Sequence, residues 1–160
     1  MAGWKWHHTP GHAPGHVSLF LVSRSILLAG DAFTTVDLDS FLASAAETRK
    51  ICRPPAPFTC DWDRARRSVE FLAGLRPHIV GCGHGVPMSG PGVAPELSNF
   101  AKNFRAPDHG RYAWQPAITD ASGIRYLPPA PPDPLPKIAA GIGIAAAGAM
   151  LAYRRRDKRE

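Results

Sequence analysis

The sequence predicts an α/β layered domain with an apolar helix near its C-terminus, on three observations. Short apolar runs alternate with amphipathic stretches between Val17 and Phe104, as strands and helices packed in layers do. Glycine turns close two of the apolar runs, at Gly30-Asp31 and at Gly83-His84-Gly85. Residues 138–153 then run without a single charge.

The elements follow in order. The first fifteen residues read as a loop, because His8-Thr9-Pro10-Gly11-His12-Ala13-Pro14-Gly15 sets two prolines and two glycines where a regular element would need neither. Trp4 and Trp6 alternate about Lys5, which suggests a strand face that covers the core. His16–Val22 and Ser25–Ala29 read as a hairpin across Ser23-Arg24. Residues 39–50 read as a short helix or a surface excursion, and Pro54, Pro55 and Pro57 exclude regular structure after it. Trp62–Ala73 is the clearest helix. Ala65, Val69, Leu72 and Leu75 share one face, Asp61 or Thr59 can cap its open amides, and Gly74 suits a left-handed position past its end. Ile79–Cys82 reads as a buried strand. Pro95–Phe104 reads as a second helix with an apolar stripe of Leu97, Phe100, Ala101 and Phe104, and Ile124–Leu127 as a small strand.

Composition removes several function classes. The net charge is +6, but the stretch from Lys137 onward carries +4 of it, which leaves +2 on residues 1–136. So balanced a body gives no footprint for nucleic acid. The three cysteines, Cys52, Cys60 and Cys82, form no CxxC pair and read as reduced structural thiols. Residues 4–8 are not the apolar core of an export signal. No Ser-His-Asp or phosphate-loop pattern occurs.

Three polar residues stand in glycine-rich turns or at the ends of apolar runs. They are His12 in Pro-Gly-His-Ala-Pro-Gly, Asp31 in Ala-Gly-Asp-Ala and His84 in Cys-Gly-His-Gly-Val-Pro. Loops after strands are where a rigid sheet presents functional groups. Imidazole and carboxylate are usual ligands for zinc and also suit iron or manganese. Each signal is weak alone, since a loop histidine is more often a surface residue and a Gly-Asp more often a turn. Their coincidence is what points to a metal. His16, at a strand start, reads as a hydrogen-bonding side chain and not a ligand, and His8 as support for His12. His7, His78 and His109 have no partner by spacing.

His8-Thr9-Pro10-Gly11-His12, followed by Gly15-His16-Val17-Ser18-Leu19, resembles the third metal motif of the metallo-β-lactamase superfamily. Leu27-Leu28-Ala29-Gly30-Asp31 is similar to its fourth and Gly83-His84-Gly85-Val86-Pro87 to its fifth. The resemblance extends over residues 4–105. It implies half of an αββα sandwich, with His12 on a first metal, His84 on a second and Asp31 bridging both. It further implies a metal-dependent hydrolase binding one or two divalent ions, zinc first among them. Metal-bound hydroxide would attack an ester, thioester or related bond of a small-molecule substrate. The Thr-Pro-Gly-His segment is glyoxalase II-like and leans toward thioesters.

The family's His-x-His-x-Asp-His run is missing. The chain therefore reads as the C-terminal half only, truncated, with a missing N-terminal half-domain as its partner. The alternative is a non-catalytic, membrane-tethered remnant or binding module. No catalytic residue is assigned beyond the three metal ligands. The expected organisation is a half-domain over 1–127, a proline-rich linker over 128–137, a transmembrane helix over 138–153 and a basic tail over 154–160. That tail, with Arg154-Arg155-Arg156, fits a single-pass membrane protein. A cytoplasmic chain with an alanine-rich soluble helix is the alternative.

Overall fold

The computed structural model describes residues 2–38 and 49–132. The chain divides into two compact units, Met1–Pro129 and Ala130–Glu160. Only residues 130–132 of the second are described. The expected membrane helix at 138–153 and most of the expected excursion at 39–50 thus lie outside the described residues. Among the described residues, no helix is long and apolar enough to cross a membrane.

Five strands form one mixed sheet in sequence order, β1 (Trp4–His8), β2 (Val17–Leu21), β3 (Ile26–Gly30), β4 (Ile79–Cys82) and β5 (Met88–Ser89). The β2–β3 pair is the expected antiparallel hairpin, with a one-turn 3-10 helix at Val22–Arg24 between its strands. β1 corrects the loop reading of the first residues. No proline or glycine falls within Trp4–His8, so that run is free to pair with β2. β3 and β4 run parallel, joined by a crossover that contains helix α1 (Trp62–Gly74). Helix α2 (Val93–Lys102) follows β5. It starts two residues earlier than its periodicity suggests, with Pro95 in the first turn where a missing amide costs nothing.

α1 forms for the reasons the sequence gives. Its first turn is capped by Asp61, whose carboxylate accepts the Arg64 amide at 2.9 Å. Its inner face is Ala65, Ser68, Val69 and Leu72. The exit differs from expectation, because Gly74 is the last helical residue and Arg76 takes the left-handed conformation at φ 49°. A second small sheet, β6 (Ile118–Asp120) with β7 (Gly123–Tyr126), contains the predicted strand near Ile124.

Strand register explains where the core sits. Phe20, Leu27 and Val80 are successive cross-strand partners, and all three are buried. They pack in one cluster with Val69 and Leu72 of α1 and Val93 and Leu97 of α2. Both helices therefore cover the same face of the sheet. The alternate residues Trp6, Leu19, Leu28 and Gly81 are also successive partners and point the other way. That face is open, with Trp6 70% and Leu28 41% exposed. Trp6 thus lies outside the core that it was expected to cover.

The two faces should respond differently to mutation. Leu72→Ala should cost about 2–5 kcal/mol, whereas Leu28→Ser on the open face should cost under about 1 kcal/mol. Urea unfolding checks both. Equal losses would mean that the helices do not define the core.

Candidate functional site

Strand direction gathers the candidate residues. β1 and β2 are antiparallel, as are β2 and β3, while β3 and β4 are parallel. The β1–β2 loop, the end of β3 and the end of β4 therefore open at the same edge of the sheet. His12 stands in that loop, Asp31 follows β3 and His84 follows β4.

The three side chains meet. His12 Nε2 lies 3.6 Å from Asp31 Oδ2, and His84 Nε2 lies 3.8 Å from Asp31 Oδ1. Both distances exceed a hydrogen bond. Each imidazole addresses a different carboxylate oxygen, so the residues form a line with Asp31 in the middle. Among the described residues, no group of three or more His, Cys, Asp or Glu is gathered to enclose one metal ion. Asp31 Oδ1 is buried and has no hydrogen-bond partner.

Each member is held by its backbone. The His12 loop is docked on the start of α1. The Gly11 carbonyl accepts the amides of Cys60 at 3.1 Å and Asp61 at 3.0 Å, and the Ser68 hydroxyl donates to the Pro10 carbonyl at 2.7 Å. At the β4 end, the Gly83 amide donates to the Gly30 carbonyl at 2.9 Å, and the Thr35 amide donates to the His84 carbonyl at 3.2 Å. A Cβ at Gly83 would collide with Asp31 Oδ1, so only glycine leaves the carboxylate its place.

Hydrogen bonding also bears on the state of His12. Thr59 Oγ1 donates its one proton to the Pro55 carbonyl at 2.8 Å. Toward His12 Nδ1, 3.4 Å away, it can then only accept. With the neutral ring's proton on Nδ1, toward Thr59, Nε2 turns a bare lone pair to Asp31. Burial lowers the His12 pKa, opposed by the Asp31 charge and assisted by His84. In that tautomer His12 Nε2 and Asp31 Oδ2 are two acceptors facing each other with no proton between them. A cation between them would turn that repulsion into attraction, and imidazole plus carboxylate is a donor set that divalent metals accept. The residues present fit such a group.

His16 makes hydrogen bonds, as expected. The Asp31 amide donates to its Nε2 at 2.9 Å. The His8 ring bonds the Pro14 carbonyl at 2.8 Å, in the loop that carries His12. Thr9, Ser18 and Thr59 went unread in this role. Only Ser18 carried a signal, as a lone hydroxyl in an apolar run. No disulfide joins the three cysteines, and burial pushes the Cys82 thiol up to about 12. A groove of about 910 Å³ between the helices is lined by Arg66, Glu70, Arg76 and Lys102 and includes none of the three candidates.

Comparison with known proteins places these features in a family context. The family described as "Metallo-beta-lactamase superfamily" matches residues 1–84. "Probable metallo-hydrolase YflN" of Bacillus subtilis is 41% identical over 101 residues, which are 63% of this chain and 38% of that protein. "Uncharacterized protein YobT" of the same organism is 32% identical over 83 residues, 52% of this chain and 34% of that one. The chain thus spans little more than a third of the curated relatives it matches. Among solved structures, the metallo-beta-lactamase superfamily protein ST1585 from Sulfolobus tokodaii is 22% identical with a TM-score of 0.44, covering 66% of this chain and 36% of that one.

Burial also lowers the His16 pKa. Just below the ordinary value of 6.5 the unfolded chain therefore binds more protons than the folded one at His12 and His16, so stability falls as pH falls. The melting temperature of the metal-free chain should drop between about pH 7.5 and pH 5.5. A midpoint that holds or rises over this range would contradict the neutral, buried imidazoles.

Proposed function

The chain belongs to the metallo-beta-lactamase superfamily, and we propose that it supplies part of the metal centre of a hydrolase. In this reading His12 binds one divalent ion, His84 binds a second and Asp31 bridges them. The observation that carries it is His12 Nε2 facing Asp31 Oδ2 at 3.6 Å while Thr59 stands as an acceptor at the other ring nitrogen. The buried, unpartnered Asp31 Oδ1 supports it from the other side. The mixed sheet with two helices on one face is consistent with part of that family's fold.

Each side chain has a defined task. His12 gives a lone pair from Nε2 while Thr59 holds its Nδ1 proton, the outer support that ligating histidines commonly have. Asp31 offers one oxygen to each side. His84, half exposed, faces the open edge where a substrate enters. The ions, zinc first and iron or manganese as alternatives, supply Lewis acidity and lower the pKa of water to about 7. The substrate class is an ester, thioester or related bond. The glyoxalase II-like Thr9-Pro10-Gly11-His12 segment favours thioesters.

A complete two-metal site needs further ligands, and no His-x-His-x-Asp-His run is present to give them. The partner in this reading is an N-terminal half-domain that brings that run and packs on the open sheet face of Trp6, Leu19 and Leu28. Support comes from the exposed apolar face and from the match to little more than a third of each relative. A non-catalytic remnant is the second reading, favoured by the lack of a three-ligand cluster among the described residues. The organisation as half-domain 1–127, linker 128–137, membrane helix 138–153 and basic tail belongs to the proposal on sequence grounds alone.

Zinc content of the purified chain tests the assignment. Asp31→Ala and His84→Ala should each lower bound zinc, and Gly83→Ala should do so by displacing the Asp31 carboxylate. Unchanged stoichiometry in all three would refute it. A chain that binds zinc in both forms, but hydrolyses thioesters only when mixed with a half-domain carrying the absent run, would favour the enzyme over the remnant. Deleting residues from 137 onward should move the protein from the membrane fraction to the soluble one. No shift would refute the tether.

A further inference from the structure

The hydrogen bonds around His16 set which ring nitrogen carries its proton. The Asp31 amide can only donate, so the His16 Nε2 it reaches at 2.9 Å is the bare nitrogen. The ring proton is therefore on Nδ1, which lies 3.0 Å from the Thr9 carbonyl and 2.9 Å from Thr9 Oγ1. Ser18 donates its hydroxyl proton to the Ala29 carbonyl at 2.9 Å. Ser18 Oγ can then only accept from Thr9 Oγ1, 2.9 Å away. Thr9 is 1% exposed and Ser18 0%, so water offers no competing partner.

The same geometry shapes the turn into Asp31. Gly30 sits at φ 58°, and a Cβ there would approach His16 Nε2 to 2.6 Å. Glycine lets the ring reach the amide that follows it. The amide belongs to the residue whose carboxylate lies between His12 and His84.

We propose that His16 is a positioning residue for Asp31: held as the Nδ1–H tautomer by Thr9, its imidazole accepts the Asp31 amide and fixes the turn that presents the carboxylate. Its consequence for metal binding rests on the bridging role proposed for Asp31. The tautomer and the amide bond do not.

Nuclear magnetic resonance of the full, metal-free chain tests the bond directly. The expected result is an Nδ1–H tautomer with scalar coupling between the Asp31 amide and His16 Nε2. An Nε2–H tautomer would overturn the proposal. His16→Leu removes the acceptor, and exchange of the Asp31 amide should speed up about 10-fold or more. His16→Gln places an amide oxygen at a similar reach and should restore slow exchange. A ring that merely fills space would not separate Gln from Leu at this one amide.

Cobalt titration gives the second readout. His16→Leu should weaken Co²⁺ affinity about 10–100-fold, as loss of an outer support does, and His16→Gln should bind close to the parent. Parental affinity in the Leu variant, with unchanged exchange, would overturn the proposal. Should the parent bind no cobalt, or Asp31→Ala bind it equally well, the metal reading fails and the tautomer and exchange still decide the role of His16. Should the Leu variant not fold, the tautomer and the Gln variant decide it.

Discussion

His12 Nε2 and Asp31 Oδ2 face each other at 3.6 Å, too far for a hydrogen bond, and with the His12 proton on Nδ1 both are acceptors. Such an arrangement is unfavourable by itself, and the surrounding structure is what maintains it. Thr59 Oγ1, its own proton given to the Pro55 carbonyl, offers an acceptor at His12 Nδ1. The Gly11 carbonyl and Ser68 fasten the His12 loop to α1. The Gly30–Gly83 backbone bond ties the ends of β3 and β4 together. These bonds hold His12 and Asp31 opposed, and the proposed cation site rests on that opposition.

The sheet sets the second constraint. Its strand directions bring three loops to one edge, and its period-two alternation sends one set of apolar residues to the helices and the other into the open. The helix side is a closed core of Phe20, Leu27, Val80, Val69 and Leu72. The open side carries Trp6, Val17 and Leu28 at substantial exposure. Each Å² of apolar surface left in water forgoes about 25 cal/mol, so covering that face would add stability.

Much of this was legible in the sequence, and the parts that were not share a cause. α1 followed from its apolar spacing and the Asp61 cap, and the three candidate residues from the turns that close apolar runs. Those signals are local. β1 was legible only in part: Trp4 and Trp6 alternating about Lys5 suggest a strand face, but the run needs β2 beside it to become a paired strand. The left-handed exit of α1 fell to Arg76 and not Gly74, a choice that the neighbouring fold made against local preference. Thr59 supports His12 from 47 positions away, and Thr9 and Ser18 close around His16 only once β1 and β2 are paired. No spacing rule announces contacts of that kind.

The most direct test is to crystallise the chain with zinc and locate the ion by its anomalous scattering. The expected result is a peak within bonding reach of both His12 Nε2 and Asp31 Oδ2, with Thr59 still bonded to His12 Nδ1. A peak bound elsewhere, or a His12 ring turned so that Nδ1 faces Asp31, would contradict the account.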